Sequence, residues 1–157
     1  MNMAVLRIAR IARWVLLLFL VIFIGLQFAR PDRRNPPAPA EASLRAKSPP
    51  HITAILDRSC RDCHSNETRW PWYTNVSPMS WLVANHVHQG REQFNYSEWT
   101  SYPSDDQDKF LGAMCELAKR ERMPMPSYLL IHRDATLSPA DVTALCSWSD
   151  AMRDTLQ

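Results

Sequence analysis

Glycine is scarce in this sequence, with 3 in 157 residues against 12 prolines. That scarcity argues against Gly-rich phosphate-binding loops and against a large β-protein built on many tight turns. No internal repeat is visible, and no segment shows the alternating pattern of a convincing strand. A basic surplus is also missing from the main body of the chain. The formal net charge is +2, but Arg7, Arg10 and Arg13 precede an apolar run and Arg30, Arg33 and Arg34 follow it. From Pro50 onward there are 10 Lys and Arg against 14 Asp and Glu, a net of −4. A nucleic-acid binder concentrates basic charge on its folded part; this chain does the reverse, so nucleic acid is set aside as a partner.

What is present divides the chain into three. Residues 1–30 contain the uncharged run Trp14–Phe28. Its length falls between a signal-peptide core and a spanning helix. The run leads into Gln27-Phe28-Ala29-Arg30-Pro31, a poor match to the small-residue pattern needed for cleavage, so the segment reads as an uncleaved membrane anchor in preference to a removed signal. Three arginines on each side leave its orientation open on charge alone. Residues 31–50 hold six of the prolines and no apolar periodicity. They read as an extended linker, able to hold a domain up to ~60 Å from a membrane. Residues 51–157 read as one small domain.

Four helices are expected in that domain. His51–Ser59 places Ile52, Ile55, Leu56 and Ser59 on one face. A second helix starts at Ser77-Pro78, packs through Met79, Leu82, Val83 and Val87, and ends at Gly90. A third is capped by Ser104 with Gln107 completing a capping box, carries Phe110, Met114, Leu117 and Ala118, and stops at Pro124. A fourth opens at Ser138-Pro139-x-Asp141, with Val142, Leu145, Trp148 or Ser149, and Met152 on its face. The fold class is therefore all-α: a small helical domain with long loops, behind a membrane helix and a Pro-rich linker.

The chemistry centres on Cys60-Arg61-Asp62-Cys63-His64, the C-x-x-C-H pattern of c-type haem attachment. Two thiols three residues apart lie on one side of a helical turn, placed to bond the two vinyl groups along one haem edge. The next residue then offers its imidazole to the iron. Rival readings are weaker. Zinc would need a second ligand pair, and Cys115 and Cys146 are 31 residues apart. A thioredoxin-like redox pair would need a βαβ context. A bare disulfide leaves His64 unexplained. Such haem attachment implies one covalently bound haem c and a domain outside the cytoplasm.

Met123 and Met125 flank Pro124 before the last helix, where a distal methionine of a His/Met cytochrome is expected. Either also serves as core filler. Met123 is the preferred sixth ligand, with His86 and Met125 as alternatives. His86 and His88 lie two apart on a helix and face different ways; His88 is expected in solvent. Cys115 and Cys146 either pair, as spare cysteines do in an oxidising compartment, or stay as buried thiols. Among the aromatic residues, Trp70-Pro71-Trp72-Tyr73 follows the haem motif closely and is expected to pack against haem.

Several further segments carry a resemblance. They are Cys63-His64-Ser65-Asn66, Pro71-Trp72-Tyr73, Ser80-Trp81 with Asn85-His86-Val87-x-x-Gly90-Arg91, Asn95-Tyr96-Ser97-x-Trp99, Met123-Pro124-x-x-Ser127-Tyr128 and His132-x-x-Ala135-x-Leu137-Ser138. With the juncture Arg30-Pro31-Asp32-Arg33-Arg34-Asn35-Pro36-Pro37, they follow in an order that resembles the bacterial haem-binding domain family of exported, c-type-cytochrome-like proteins. The resemblance covers nearly the whole chain. It implies haem binding and electron transfer, and places Met123, His86 and His132 at family positions without naming a redox partner. It also argues against reading Asn66-x-Thr68, Asn75-x-Ser77 and Asn95-x-Ser97 as glycosylation sites. The expectation is an electron carrier, not an enzyme, held on the outer face of a bacterial cytoplasmic membrane.

Overall fold

The computed structural model describes residues 3–156; Met1 and Asn2, with which the expected anchor begins, and Gln157 lie outside them. Among the described residues there are seven α-helices and no strand. They are α1 (Met3–Leu26), α2 (Pro50–Ser59), α3 (Arg61–His64), α4 (Met79–Gln93), α5 (Ser104–Lys119), α6 (Pro126–Leu129) and α7 (Pro139–Asp154), with short 3-10 turns between them. The chain forms two compact units, Met1–Arg33 with Trp70–Asn85, and Arg34–Arg69 with His86–Gln157. The fold is all-α.

In the first unit, α1 has 24 residues and no buried side chain. At about 1.5 Å per residue it is roughly 36 Å long, against about 30 Å for a bilayer's hydrocarbon core. It is the one helix among the described residues long and apolar enough to cross a membrane.

The second unit owns the core. Ile52, Ile55 and Leu56 of α2, Tyr96 and Trp99, Leu111 and Ala118 of α5, and Leu145 of α7 are all buried together. α5 and α7 pack side by side. The Ser149 hydroxyl donates to the Leu111 carbonyl at 2.7 Å, and a disulfide joins Cys115 to Cys146 across the pair. The opening of α7 follows its sequence signature. Asp141 N–H donates to Ser138 Oγ at 3.1 Å and Ser138 N–H to Asp141 Oδ2 at 2.8 Å, with Pro139 in the first turn. Arg58 of α2 also donates to Asp141 Oδ2, at 2.9 Å.

Four expectations are corrected. The stretch 34–50 is not a free spacer. Leu44 is fully buried in the core, Asn35 Nδ2 donates to the Thr68 carbonyl, and Asn66 Nδ2 to the Pro37 carbonyl. Arg45 of the same stretch also pairs with Asp57 at 3.0 Å and Glu67 at 2.7 Å. Second, α4 runs through Gly90 to Gln93, and at its start Met79 and Leu82 are exposed while Val87 is buried. Third, Ser104 makes no cap and Gln107 no capping box. Pro103 stands at the N-cap position, and Gln107 Nε2 donates back to the Trp99 and Tyr102 carbonyls at 3.1 and 2.9 Å. Fourth, α5 stops before Pro124. Glu121 adopts φ 53°, so its N–H reaches the Ala118 carbonyl and Arg122 N–H the Leu117 carbonyl. This is the paired closure usually built on glycine.

Two outcomes follow. Leu44→Ala should lower unfolding stability by about 2–5 kcal/mol, the usual range for a buried leucine; a change near zero in urea titration would mean the segment is undocked in solution. Alkylation of unfolded, unreduced protein should label neither Cys115 nor Cys146, and prior reduction should expose both.

Candidate functional site

α2 ends at Ser59, and Cys60 breaks the helix with φ −123°. The chain then makes the single turn α3, closed by Cys63 N–H and His64 N–H donating to the Cys60 carbonyl at 3.3 and 3.0 Å. That turn brings Cys60, Cys63 and His64 to one cavity of about 580 Å³. Its size falls within the range of about 300–1,000 Å³ common for small-molecule and cofactor sites. Other parts of its lining come from His86, Gly90 and Phe94, from Phe110, Met114 and Leu117 of α5, from Leu145, and from Met123, Met125 and Tyr128. The surface of the lining is mostly apolar.

The imidazole is held in a defined state. His64 Nδ1 lies 2.9 Å from the Phe94 carbonyl. A carbonyl only accepts, so Nδ1 carries the proton and Nε2 keeps its lone pair. Burial lowers the His64 pKa, opposed by hydrogen bonds to the Phe94 and Gly90 carbonyls, and keeps the ring neutral. Burial also pushes the Cys60 thiol up to about 12 and the Cys63 thiol up to about 11. With no group bound, both therefore stand as neutral S–H groups. Among the described residues no three His, Cys, Asp or Glu side chains come together to hold a metal ion directly.

α4 packs tightly on this turn. A Cβ added at Gly90 would overlap the Cys63 carbonyl oxygen and stand 3.0 Å from its carbon and 3.1 Å from Cys63 Cβ. One residue on, Arg91 donates to the Ser65 carbonyl at 2.8 Å, to Thr68 Oγ1 at 2.8 Å and to Asn35 Oδ1 at 2.8 Å. It pins the loop after the cysteines. Beside it, Asn66 and Asn95 share a buried polar cluster. Asn95 Nδ2 donates to Asn66 Oδ1 at 2.7 Å, and both side chains donate to Glu98 Oε1 at 3.1 Å. At 3% and 4% exposure neither amide is open to modification. Asp62, between the cysteines, accepts from the Tyr128 hydroxyl at 3.0 Å, and burial raises its carboxyl pKa.

Two neutral thiols on one helical turn, an imidazole with a free Nε2, and a mostly apolar cavity form a donor set that fits a haem. The sequence pattern of the haem-binding domain matches residues 21–151. The chain belongs to the haem-binding domain family. No curated protein and no solved structure matches it.

In this haem-binding domain, Met123, Met125 and His86 all reach the cavity that holds Cys60, Cys63 and His64, and Met123 is 37% exposed. His88 is exposed and pairs with Glu92 at 3.2 Å. His132 stacks on the Tyr128 ring at 4.2 Å and is outside the lining. The aromatic lining is Phe94, Phe110 and Tyr128, whereas Trp72, expected against haem, is 78% exposed. In the sequence Gly90 reads as a helix end and, with Arg91, as part of a resembling segment, while the Phe94 carbonyl and the Asp62–Tyr128 bond are not singled out. The Gly-Arg pair after Asn85-His86-Val87 is the signal that marks two of them.

The close approach at Gly90 has a measurable outcome. Gly90→Ala should cost about 1–3 kcal/mol, as overpacking does. At Gly112 of α5 an added Cβ meets nothing nearer than 3.5 Å, so Gly112→Ala should be neutral or stabilising by up to about 1 kcal/mol through helix propensity. Equal urea midpoints for the two variants would refute the asymmetry.

Proposed function

We propose that this haem-binding domain is a monohaem c-type cytochrome module that carries one electron between redox proteins outside the cytoplasm, anchored by α1. One observation carries the reading: two neutral thiols and an imidazole with an uncommitted Nε2 line one cavity of about 580 Å³. Cys60 and Cys63 would hold the group by thioether bonds, each S–H adding across one vinyl double bond without need of an oxidant. His64 Nε2 would supply a nitrogen donor to its iron, with the ring fixed by the Phe94 carbonyl. A bound haem supplies reversible one-electron chemistry at its iron.

Met123 would be the second protein ligand to the iron in this reading. It lies in the loop between α5 and α6, with Pro124 and Pro126 limiting the backbone around it, and it reaches the cavity. A thioether donor would favour ferrous iron and raise the potential. The Cys115–Cys146 disulfide supports a location in an oxidising compartment; with α1 it supports the reading of a domain on the outer side of a bacterial cytoplasmic membrane. The module needs no substrate-activating residue and is proposed as a carrier, not an enzyme. His86 at the cavity wall motivates the competing reading, a haem enzyme or gas sensor with an open sixth position.

The test is spectroscopic. Denatured protein should keep its haem on a peroxidase-stained gel, and Cys60→Ala with Cys63→Ala should abolish that band. Ferric protein should show the weak far-red charge-transfer band of His/Met haem, retained in Met125→Leu and lost in Met123→Leu. A parent protein that is high-spin when ferrous and binds carbon monoxide readily would favour the enzyme or sensor reading.

A further inference from the structure

Residues 70–85, in the first unit, combine three unusual properties. They carry no Asp, Glu, Lys or Arg, although such residues make up 22% of the chain, and they include Trp70, Trp72, Tyr73 and Trp81. Their packing is inverted relative to a segment built for water. Thr74, Ser77 and Ser80 are buried at 0%, 3% and 3% exposure, while Trp72, Val76, Met79 and Leu82 are exposed, Trp72 at 78%. The buried hydroxyls are satisfied inward. Thr74 Oγ1 donates to the Pro71 carbonyl at 2.6 Å, and the Ser77 and Ser80 hydroxyls lie 3.0 Å apart.

The segment is also tied to the end of α1. Ser77 N–H donates to Gln27 Oε1 at 2.9 Å, Trp81 Nε1 to the Ala29 carbonyl at 2.6 Å, and Arg33 Nη1 to the Thr74 carbonyl at 2.8 Å. Phe28, beside these anchors, is 83% exposed. An apolar, aromatic, uncharged surface fastened just past the end of a membrane-length helix has one environment that fits all of these features. The headgroup region of a bilayer takes tryptophan and tyrosine by preference, because their rings are amphipathic.

We propose that residues 70–85 and the end of α1 form a membrane-interface collar that lies against the lipid headgroups. Its occupant is the bilayer surface, argued from its continuity with α1, and the proposal rests on the reading of α1 as a membrane anchor. The collar gives the exposed tryptophan and aliphatic residues a partner and explains why the hydroxyls are turned inward.

The experiment uses the full chain reconstituted into phosphatidylcholine vesicles, with benzoylphenylalanine placed singly at Trp72, Met79 or Leu82. A photoreactive group at Leu18, inside α1, reports on the anchor itself. One at Leu130, which is 77% exposed in the other unit, is the apolar control. After irradiation, lipid adducts are expected at 72, 79, 82 and 18, and none above background at 130. Lipid adducts at 18 without any at 72, 79 and 82 would overturn the collar and leave the anchor standing. Cross-links from the three positions to another protein chain would overturn it in favour of a protein interface, and equal lipid adducts at 130 would remove its selectivity. Loss of adducts at 18 as well would remove anchor and collar together.

Discussion

The hydrogen bond from His64 Nδ1 to the Phe94 carbonyl is the constraint around which the site is arranged. α3 is a four-residue helix, too short to hold its own shape, so its direction is borrowed from α4. The loan has three parts. Gly90 lets the α4 backbone come against Cys63, Arg91 grips the loop that follows, and Phe94 sets the imidazole. Phe94 is itself wedged among Trp99, Tyr102 and Phe110, with ring centroids 5.0–6.4 Å apart. The main aromatic cluster thus positions a carbonyl, and the carbonyl decides which imidazole nitrogen keeps its lone pair.

Spacing along the chain made part of this legible. Cys60, Cys63 and His64 fall together because a helical turn brings residues three and four apart to one side. The opening of α7 could be read because Ser138, Pro139 and Asp141 each satisfy or remove a backbone N–H within one turn. Local rules stop being sufficient where tertiary contact decides. Gly90 reads as a helix terminator, yet its missing side chain serves the approach of Cys63. Glu121 gives no sign that it closes α5 in a left-handed conformation, since glycine is the usual residue there. Leu44 looks like a stray apolar residue among prolines until its burial is seen.

The start of α4 shows a different failure. Apolar periodicity reports that a face wants to leave water, not what will cover it. Met79 and Leu82 fit the pattern of a core-facing stripe but are exposed, and only Val87 further along is buried. The polar cluster of buried Asn66 and Asn95 with Glu98 is the opposite case. Its residues look like surface polar groups, and two of them sit in sequences that resemble modification signals. Each finds its partners inside the domain, where an unpaired amide would be costly.

The disulfide between α5 and α7 sets a sorting problem for the newly made chain. Four cysteines in an oxidising compartment allow three complete pairings, and Cys60 and Cys63, three residues apart, meet sooner than Cys115 and Cys146, separated by 31. The structure joins the distant pair and leaves the near pair outside any disulfide. Under the proposed attachment, oxidation of the near pair would consume the two S–H groups before haem arrived. On that proposal, biogenesis would be ordered in time, with one pair of sulfurs oxidised and the other kept reduced in the same compartment.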